Sequence, residues 1–276
     1  MKAAIALLGL LLAATPLAAA EKYAEFESHT FDGPGGAKLP YRLLKPEAAE
    51  TGKKYPLVLF LHGFGDRGTD NQAQLKEIAG TFLKAAVRKK FPCFVVAPQV
   101  NGSWIQHAVF DKAIPLTAKP TAALTSAVEI VLSVVKSHPV DANRVYVMGY
   151  SNGACGVWEI LEREPGSWAG AVVMAGAGDP SRIGVAKHVP IWVFHGSKDT
   201  TIPIERMHEM INGLRHAGGQ PLYTIIPNGQ HYDARAIGLG EPELLPWLFA
   251  QERGKPVVPF EKVAGPKAKL PTSLQK

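Results

Sequence analysis

The sequence predicts an α/β fold, with a mostly parallel central sheet, helices on both faces and an antiparallel hairpin at its N-terminal edge. Two observations carry this. Between residues 55 and 254, short β-rich apolar runs alternate with longer segments in which apolar residues recur every three or four positions, the pattern of buried parallel strands joined by crossover helices. Ahead of them, "YAEFESHTF" and "AKLPYRLLKP" flank the turn-forming "DGPGG", which reads as a hairpin.

The strand runs are, in order, "YPLVLFLHG", "CFVVAPQ", "RVYVMGYS", "WAGAVVMAGA", "PIWVFHGS" and "PLYTIIPN". Their unbroken apolar character suits strands covered on both faces. Helical spacing places helices at 70–89, 121–137, 152–163, 204–216 and 243–252, as in the series Ala123, Ala127, Ile130, Val134. No repeat and no internal linker interrupts the pattern. The expected organisation is a signal peptide at 1–20, one catalytic-sized domain at 21–254 and an extension at 255–276.

Composition excludes several classes. With 276 residues, 46% of them apolar and 20% charged, the chain is ordinary globular protein. The opening "MKAAIALLGLLLAATPLAAA" sets one lysine before an Ala/Leu-rich run ending in Ala18-x-Ala20, the layout of a cleaved secretory signal. The mature protein is therefore expected to be secreted or periplasmic, without a stable membrane anchor. The tail from Lys255 holds five lysines and four prolines against Glu261 and reads as a loosely ordered basic extension. Most of the formal charge of +6 sits there, so the body shows no nucleic-acid groove. Two cysteines, Cys93 and Cys155, exclude a disulfide framework and read as buried free thiols.

The chemistry centres on "RVYVMGYSNGACGVWEIL". Here a strand ends on Ser151 and a helix begins at Asn152. So sharp a turn needs small residues two positions before and after the serine, and Gly149 and Gly153 occupy them. The hydroxyl is then thrust outward at the carboxyl end of the sheet, where ligands of open α/β sheets bind. A serine attacks only when a base takes its proton and a third group orients that base. Asp199 follows the strand "PIWVFHG", and His231 follows "PLYTIIPN", so both loops share the serine's edge. Asp179, after "AVVMAGA", is the competing acid but lacks comparable context. His195 and His216 suit structural roles, and no histidine or cysteine spacing suits a metal.

An oxyanion needs two backbone N–H groups. Asn152, directly after the serine, supplies one, and the glycine-rich His62-Gly63-Phe64-Gly65 loop supplies the other through Phe64. Asp66, Arg67 and Asp70 are expected to tie that loop down. Trp104 and Tyr150 are expected to face the substrate pocket, whereas Trp158, Trp168, Trp192 and Trp247 read as core.

"YPLVLFLHGFGDRGTDNQAQL", "NRVYVMGYSNGACGVWEIL" and "VPIWVFHGSKDTTIPIERMHEM" together resemble the α/β-hydrolase superfamily. The resemblance is closest to secreted esterases related to dienelactone hydrolases and to predicted peptidases of the phospholipase/carboxylesterase-like group. Ser-Asn-Gly at 151–153 also resembles polyhydroxybutyrate depolymerases and feruloyl esterases. The resemblance implies a Ser151, Asp199, His231 triad with Phe64 and Asn152 as oxyanion donors. Dienelactone hydrolases use a cysteine where this chain has serine, so lactone hydrolysis is not implied. Ala154 stands where a second glycine often follows the elbow, a change that a first helical turn tolerates. Between "AVVMAGA" and "PIWVFHG" there is room for only a short connection, so no large lid is expected there.

The expected function is cleavage of carboxylic esters, in small molecules or a polymer, through an acyl-enzyme and without a cofactor. The alternatives are a serine peptidase of the same fold, an extracellular polyester depolymerase or feruloyl esterase, and a non-catalytic binding protein.

Overall fold

The hairpin comes first, Phe26–Asp32 (β1) paired antiparallel with Lys38–Leu44 (β2), Phe26 opposite Leu44. Six strands follow: Tyr55–Leu61 (β3), Phe94–Pro98 (β4), Val140–Tyr150 (β5), Gly170–Met174 (β6), Ile191–Gly196 (β7) and Leu222–Ile226 (β8). The computed structural model describes residues 22–264; the signal peptide expected at 1–20 and the end of the extension, 265–276, lie outside the described residues. The strands form one sheet in the order β1-β2-β4-β3-β5-β6-β7-β8. β2 runs antiparallel to β1 and β4, and the other neighbours pair in parallel. This is the predicted architecture. Every side chain of β3, β4, β6 and β7 is buried, which explains why those runs carry no polar alternation.

Eight α-helices cover the sheet in the described residues: Leu75–Phe82 (α1), Ala85–Lys90 (α2), Ala122–Ser137 (α3), Asn152–Arg163 (α4), Ile204–His216 (α5), His231–Gly240 (α6), Leu244–Ala250 (α7) and Phe260–Ala264 (α8). One face packs under α3, α4 and α5, with Leu59, Val147, Trp158 and Met210 in its core. The other packs under α1, α6, α7 and α8, around Phe60, Met148, Trp192 and Trp247. Cys93 and Cys155 are free and buried, as expected. Burial raises both thiols to about 12, which leaves them inert.

Three expectations change. The single helix at 70–89 is two. Asp70 Oδ1 accepts the N–H groups of Gln72 and Ala73, at 2.9 and 3.0 Å, and Asn71 takes φ 52°, so the chain turns before α1; extended Lys84 then breaks it from α2. A helix, α6, begins at His231, where a loop was expected. Asp233 accepts the Gln230 N–H at 2.7 Å and starts it by the capping-box logic. The extension, read as loosely ordered, is docked as far as α8. Gln251 donates Nε2–H to the Val258 carbonyl and accepts the Val258 N–H, which delivers Phe260, 2% exposed, edge-on to Trp192 at 5.3 Å.

No helix of the described residues is long and apolar enough to cross a membrane. Phe260→Ala should cost about 3 kcal/mol of stability while leaving the site untouched. A thermal melt checks it; an unchanged melting temperature contradicts the docking.

Candidate active site

β5 ends at Tyr150, and the chain reverses within one residue into α4. Ser151 makes that reversal at φ 55°, ψ −122°, a conformation that costs an L-residue ~1–3 kcal/mol. Its neighbours hold it there. A Cβ on Gly149 would come 2.5 Å from the Gly153 carbonyl oxygen, and one on Gly153 would strike the Leu61 carbonyl of β3. The Ser151 N–H donates to Met174 O at 2.9 Å, at the end of β6, and its carbonyl accepts the Cys155 N–H at 3.0 Å.

The structure brings Ser151, His231 and Asp199 together from the ends of β5, β8 and β7. Ser151 Oγ lies 2.8 Å from His231 Nε2, and His231 Nδ1 lies 2.7 Å from Asp199 Oδ2. Because Nδ1 faces a carboxylate it carries the proton, which leaves Nε2 to accept from the serine hydroxyl. Asp199 Oδ1 accepts the N–H groups of Thr201 and Ile202, at 2.8 and 2.9 Å. Burial alone would raise this carboxyl. The His231 hydrogen bond, the Ile202 N–H and the neighbouring histidines outweigh burial and hold it below the ordinary range. Asp179, the competing acid, instead accepts from Leu116 N–H and from Ser181.

Asn152 follows the serine directly, and Phe64 follows Gly63, where a Cβ would lie 3.2 Å from Ser151 Cβ. Phe64 opens a 3₁₀ turn, Phe64–Asp66, and Asn152 opens α4, where first-turn N–H groups have no helical acceptor. Among the described residues no group takes either N–H. His62 fixes the loop with both ring nitrogens: Nδ1 donates to Gly63 O at 2.7 Å, and Nε2 accepts the Val100 N–H at 3.0 Å. Arg67 donates to Phe64 O at 2.9 Å and lies over its ring. Asp70 accepts from Gln99 Nε2 at 2.8 Å, and the same Nε2 reaches Asp66 O. Asp66, Arg67 and Asp70 thus brace the loop.

Trp104 does not face the pocket. It is fully buried, donates Nε1–H to His62 O and its backbone N–H to Asn152 Oδ1, both at 2.9 Å. Its place between the two loops explains this, since an indole N–H buried in the core needs an acceptor. The Tyr150 ring lies 5.2 Å from that of His231. Arg235, one helical turn beyond His231, has its guanidinium 4.9 Å from the Tyr150 ring and is ion-paired to Glu77. Sequence reasoning missed Arg235 because it missed α6; the Gln230-x-x-Asp233 pattern was the available signal.

It also missed the strap at 99–121. Between β6 and β7 the chain adds only the turn Ile183–Ala186, so no large lid lies there. The segment between β4 and α3 packs beside the serine instead. Its Ile105 and Ile114 cluster with Cys155, Ala177 and Ile202, and Phe110 packs on Phe64 at 6.1 Å. Ile114 N–H donates to Gly178 O, Leu116 N–H to Asp179 Oδ2, and Arg163 Nη2 to Thr117 O. A long stretch with no helical or strand period, yet carrying Trp104, Ile105, Phe110 and Ile114, was its signature. Beneath the strap's anchor, Glu162 accepts the Asp179 N–H at 2.8 Å. Among the described residues no cluster of three His, Cys, Asp or Glu suits a metal ion.

The fold is that of an α/β-hydrolase. The Phospholipase/Carboxylesterase family matches residues 48–235, and the chain belongs to that family. A thermostable esterase of known structure is 32% identical, at a TM-score of 0.75, over 83% of this chain; the chain spans 64% of that esterase's length. An acylaminoacyl peptidase of Pyrococcus horikoshii is 14% identical, at 0.60, over 88% of this chain and 45% of its own length. A puromycin-hydrolyzing peptidase of Mycobacterium tuberculosis is 16% identical, at 0.61, over 84% and 40%. These last two likenesses are of fold alone. No curated protein matches the chain.

Trp104→Phe, which keeps the ring and removes the N–H, should lower kcat roughly tenfold and stability by ~1–3 kcal/mol with KM unmoved. Steady-state kinetics check it; a change in acyl-chain preference with kcat intact would return Trp104 to the pocket wall. Burial, reinforced by the charges of Asp179 and Glu159, pushes the Glu162 carboxyl up to about 8 from its ordinary 4.5. The folded chain thus keeps a proton that the unfolded chain releases, so across that window stability falls as pH rises. Glu162→Gln should match wild type near pH 4.5 and melt several degrees above it near pH 8. A melting difference independent of pH contradicts this.

Proposed function

We propose that the protein is a secreted serine carboxylic-ester hydrolase with Ser151, His231 and Asp199 as its triad. The observation that carries the reading is the continuous hydrogen-bond relay of 2.8 and 2.7 Å from a strained, outward-turned serine hydroxyl to a carboxylate. His231 Nε2 takes the hydroxyl proton as Ser151 Oγ attacks the ester carbonyl. The tetrahedral oxyanion lies between the N–H groups of Phe64 and Asn152, which have no other partner among the described residues. His231 then protonates the departing alcohol, and in the second half it deprotonates the water that releases the acid. Asp199 stays ionised throughout and stabilises the imidazolium.

Esters are favoured over amides because the 32%-identical relative is an esterase, and this chain covers less than half of either peptidase with which it shares a fold. Export is supported by the signal-like layout of residues 1–20.

The test uses p-nitrophenyl esters of graded chain length and peptide p-nitroanilides. Ester turnover should dominate, and Ser151→Ala and His231→Ala should each lower kcat by ~10⁴-fold or more without unfolding. Ester turnover retained in Ser151→Ala overturns the mechanism; amide turnover equal to ester turnover replaces it with the peptidase reading.

A further inference from the structure

His195 is a buried titratable group that the mechanism above does not use. It is the penultimate residue of β7, and its side chain is wholly buried. Its Nε2 lies 2.8 Å from the Ile202 carbonyl oxygen and 3.4 Å from Asp199 Oδ2, the oxygen that faces His231. Its Nδ1 is buried without a partner.

These contacts fix its chemical state. Both atoms opposite Nε2 are acceptors, so Nε2 carries the proton; it donates to the Ile202 carbonyl, and Asp199 Oδ2 lies within electrostatic reach at 3.4 Å. Nδ1 is then a bare lone pair. Protonating it would bury a second N–H with nothing to accept it, so the ring is neutral, and burial lowers its basicity accordingly. The charged and titratable groups around the ring are Asp199 on its own loop, His231 from α6 and His208 from α5.

The ring closes a circuit around the acid. The Ile202 N–H donates to Asp199 Oδ1 at 2.9 Å, and the Ile202 carbonyl accepts from His195, which also touches Asp199 Oδ2. One residue, Ile202, is thereby held at its N–H and at its carbonyl, and the carboxylate cannot rotate without breaking a bond on each oxygen. We propose that His195 is a positioning residue for Asp199, orienting the carboxylate toward His231 and sharing the negative charge of Oδ2. This rests on the triad reading given above. Its consequence is specific: the positive end of the His195 N–H, 3.4 Å from Oδ2, offsets part of the charge that this oxygen presents to His231. Without it, Asp199 pulls harder on the protonated imidazole of His231 while being less well aimed.

The test compares wild type, His195→Phe, His195→Gln and Ser151→Ala on a p-nitrophenyl ester from pH 5 to 9. Gln places a donor where Nε2 stands, whereas Phe fills the volume without one. His195→Phe should lower kcat by ~10- to 100-fold at unchanged KM and move the acid limb of kcat/KM upward by about half a pH unit, and His195→Gln should restore most of both. Loss of kcat equally at every pH, with no rescue by Gln, reduces His195 to packing and overturns the proposal. A wild-type activity that survives in Ser151→Ala overturns the triad reading itself, a different and recognisable failure. Nitrogen-15 NMR of the wild-type imidazoles needs no variant to fold: it should show His195 at neutral pH as the uncharged Nε2–H tautomer. An Nδ1–H tautomer contradicts the proposal.

Discussion

The close approach of α4 to β3 is the constraint on which the rest of this site depends. Gly153 sits so near the Leu61 carbonyl that no side chain fits between them, and that contact lets α4 begin one residue after β5 ends. Ser151 is strained because of it, and the strain points the hydroxyl away from the sheet. The same approach sets the first-turn N–H of Asn152 beside the loop that leaves β3. Gly63 completes the fit, since a Cβ there would lie 3.0 Å from the Tyr150 ring and 3.2 Å from Ser151 Cβ. Backbone crowding around Gly63, Gly149 and Gly153 thus gathers Ser151, Asn152 and the loop bearing Phe64 at one point.

Around that point the polar groups are held in place before any substrate arrives. His62 spends both ring nitrogens on backbone, and Trp104 ties the His62 carbonyl to Asn152. Asp199 has acceptor bonds on both oxygens. Preorganisation of this kind matters because dipoles already aimed at a developing charge need not reorganise as it forms. The strain at Ser151 is offset by packing in the two apolar layers, where Trp158 on one face and Trp192 and Trp247 on the other are almost wholly buried.

Most of the architecture was legible because it is written in period and punctuation. Continuous apolar runs marked the buried strands, and Gly149 and Gly153 marked the turn at Ser151. The loops bearing Asp199 and His231 could be placed because each follows a strand whose direction was already fixed. What escaped has physical reasons. Trp104 sits in a loop on the site's edge, yet whether a loop residue faces inward depends on which carbonyl its N–H meets, and that carbonyl belongs to a residue 42 positions away. The strap at 99–121 has no period to read. His231 looked like a loop residue because α6 starts on it, and with that helix went Arg235. Phe260 looked like part of a charged tail, although a single aromatic among lysines was enough to dock it on Trp192.

The central claim is that Ser151 is made nucleophilic by His231. Reaction with a fluorophosphonate, followed by intact-mass measurement and peptide mapping, tests it most directly, because the reagent reports the activated oxygen without any assumption about substrate. One adduct on the peptide bearing Ser151 is expected, lost in Ser151→Ala and greatly slowed in His231→Ala. No adduct on the folded wild-type protein, or an adduct that persists in Ser151→Ala, would contradict it.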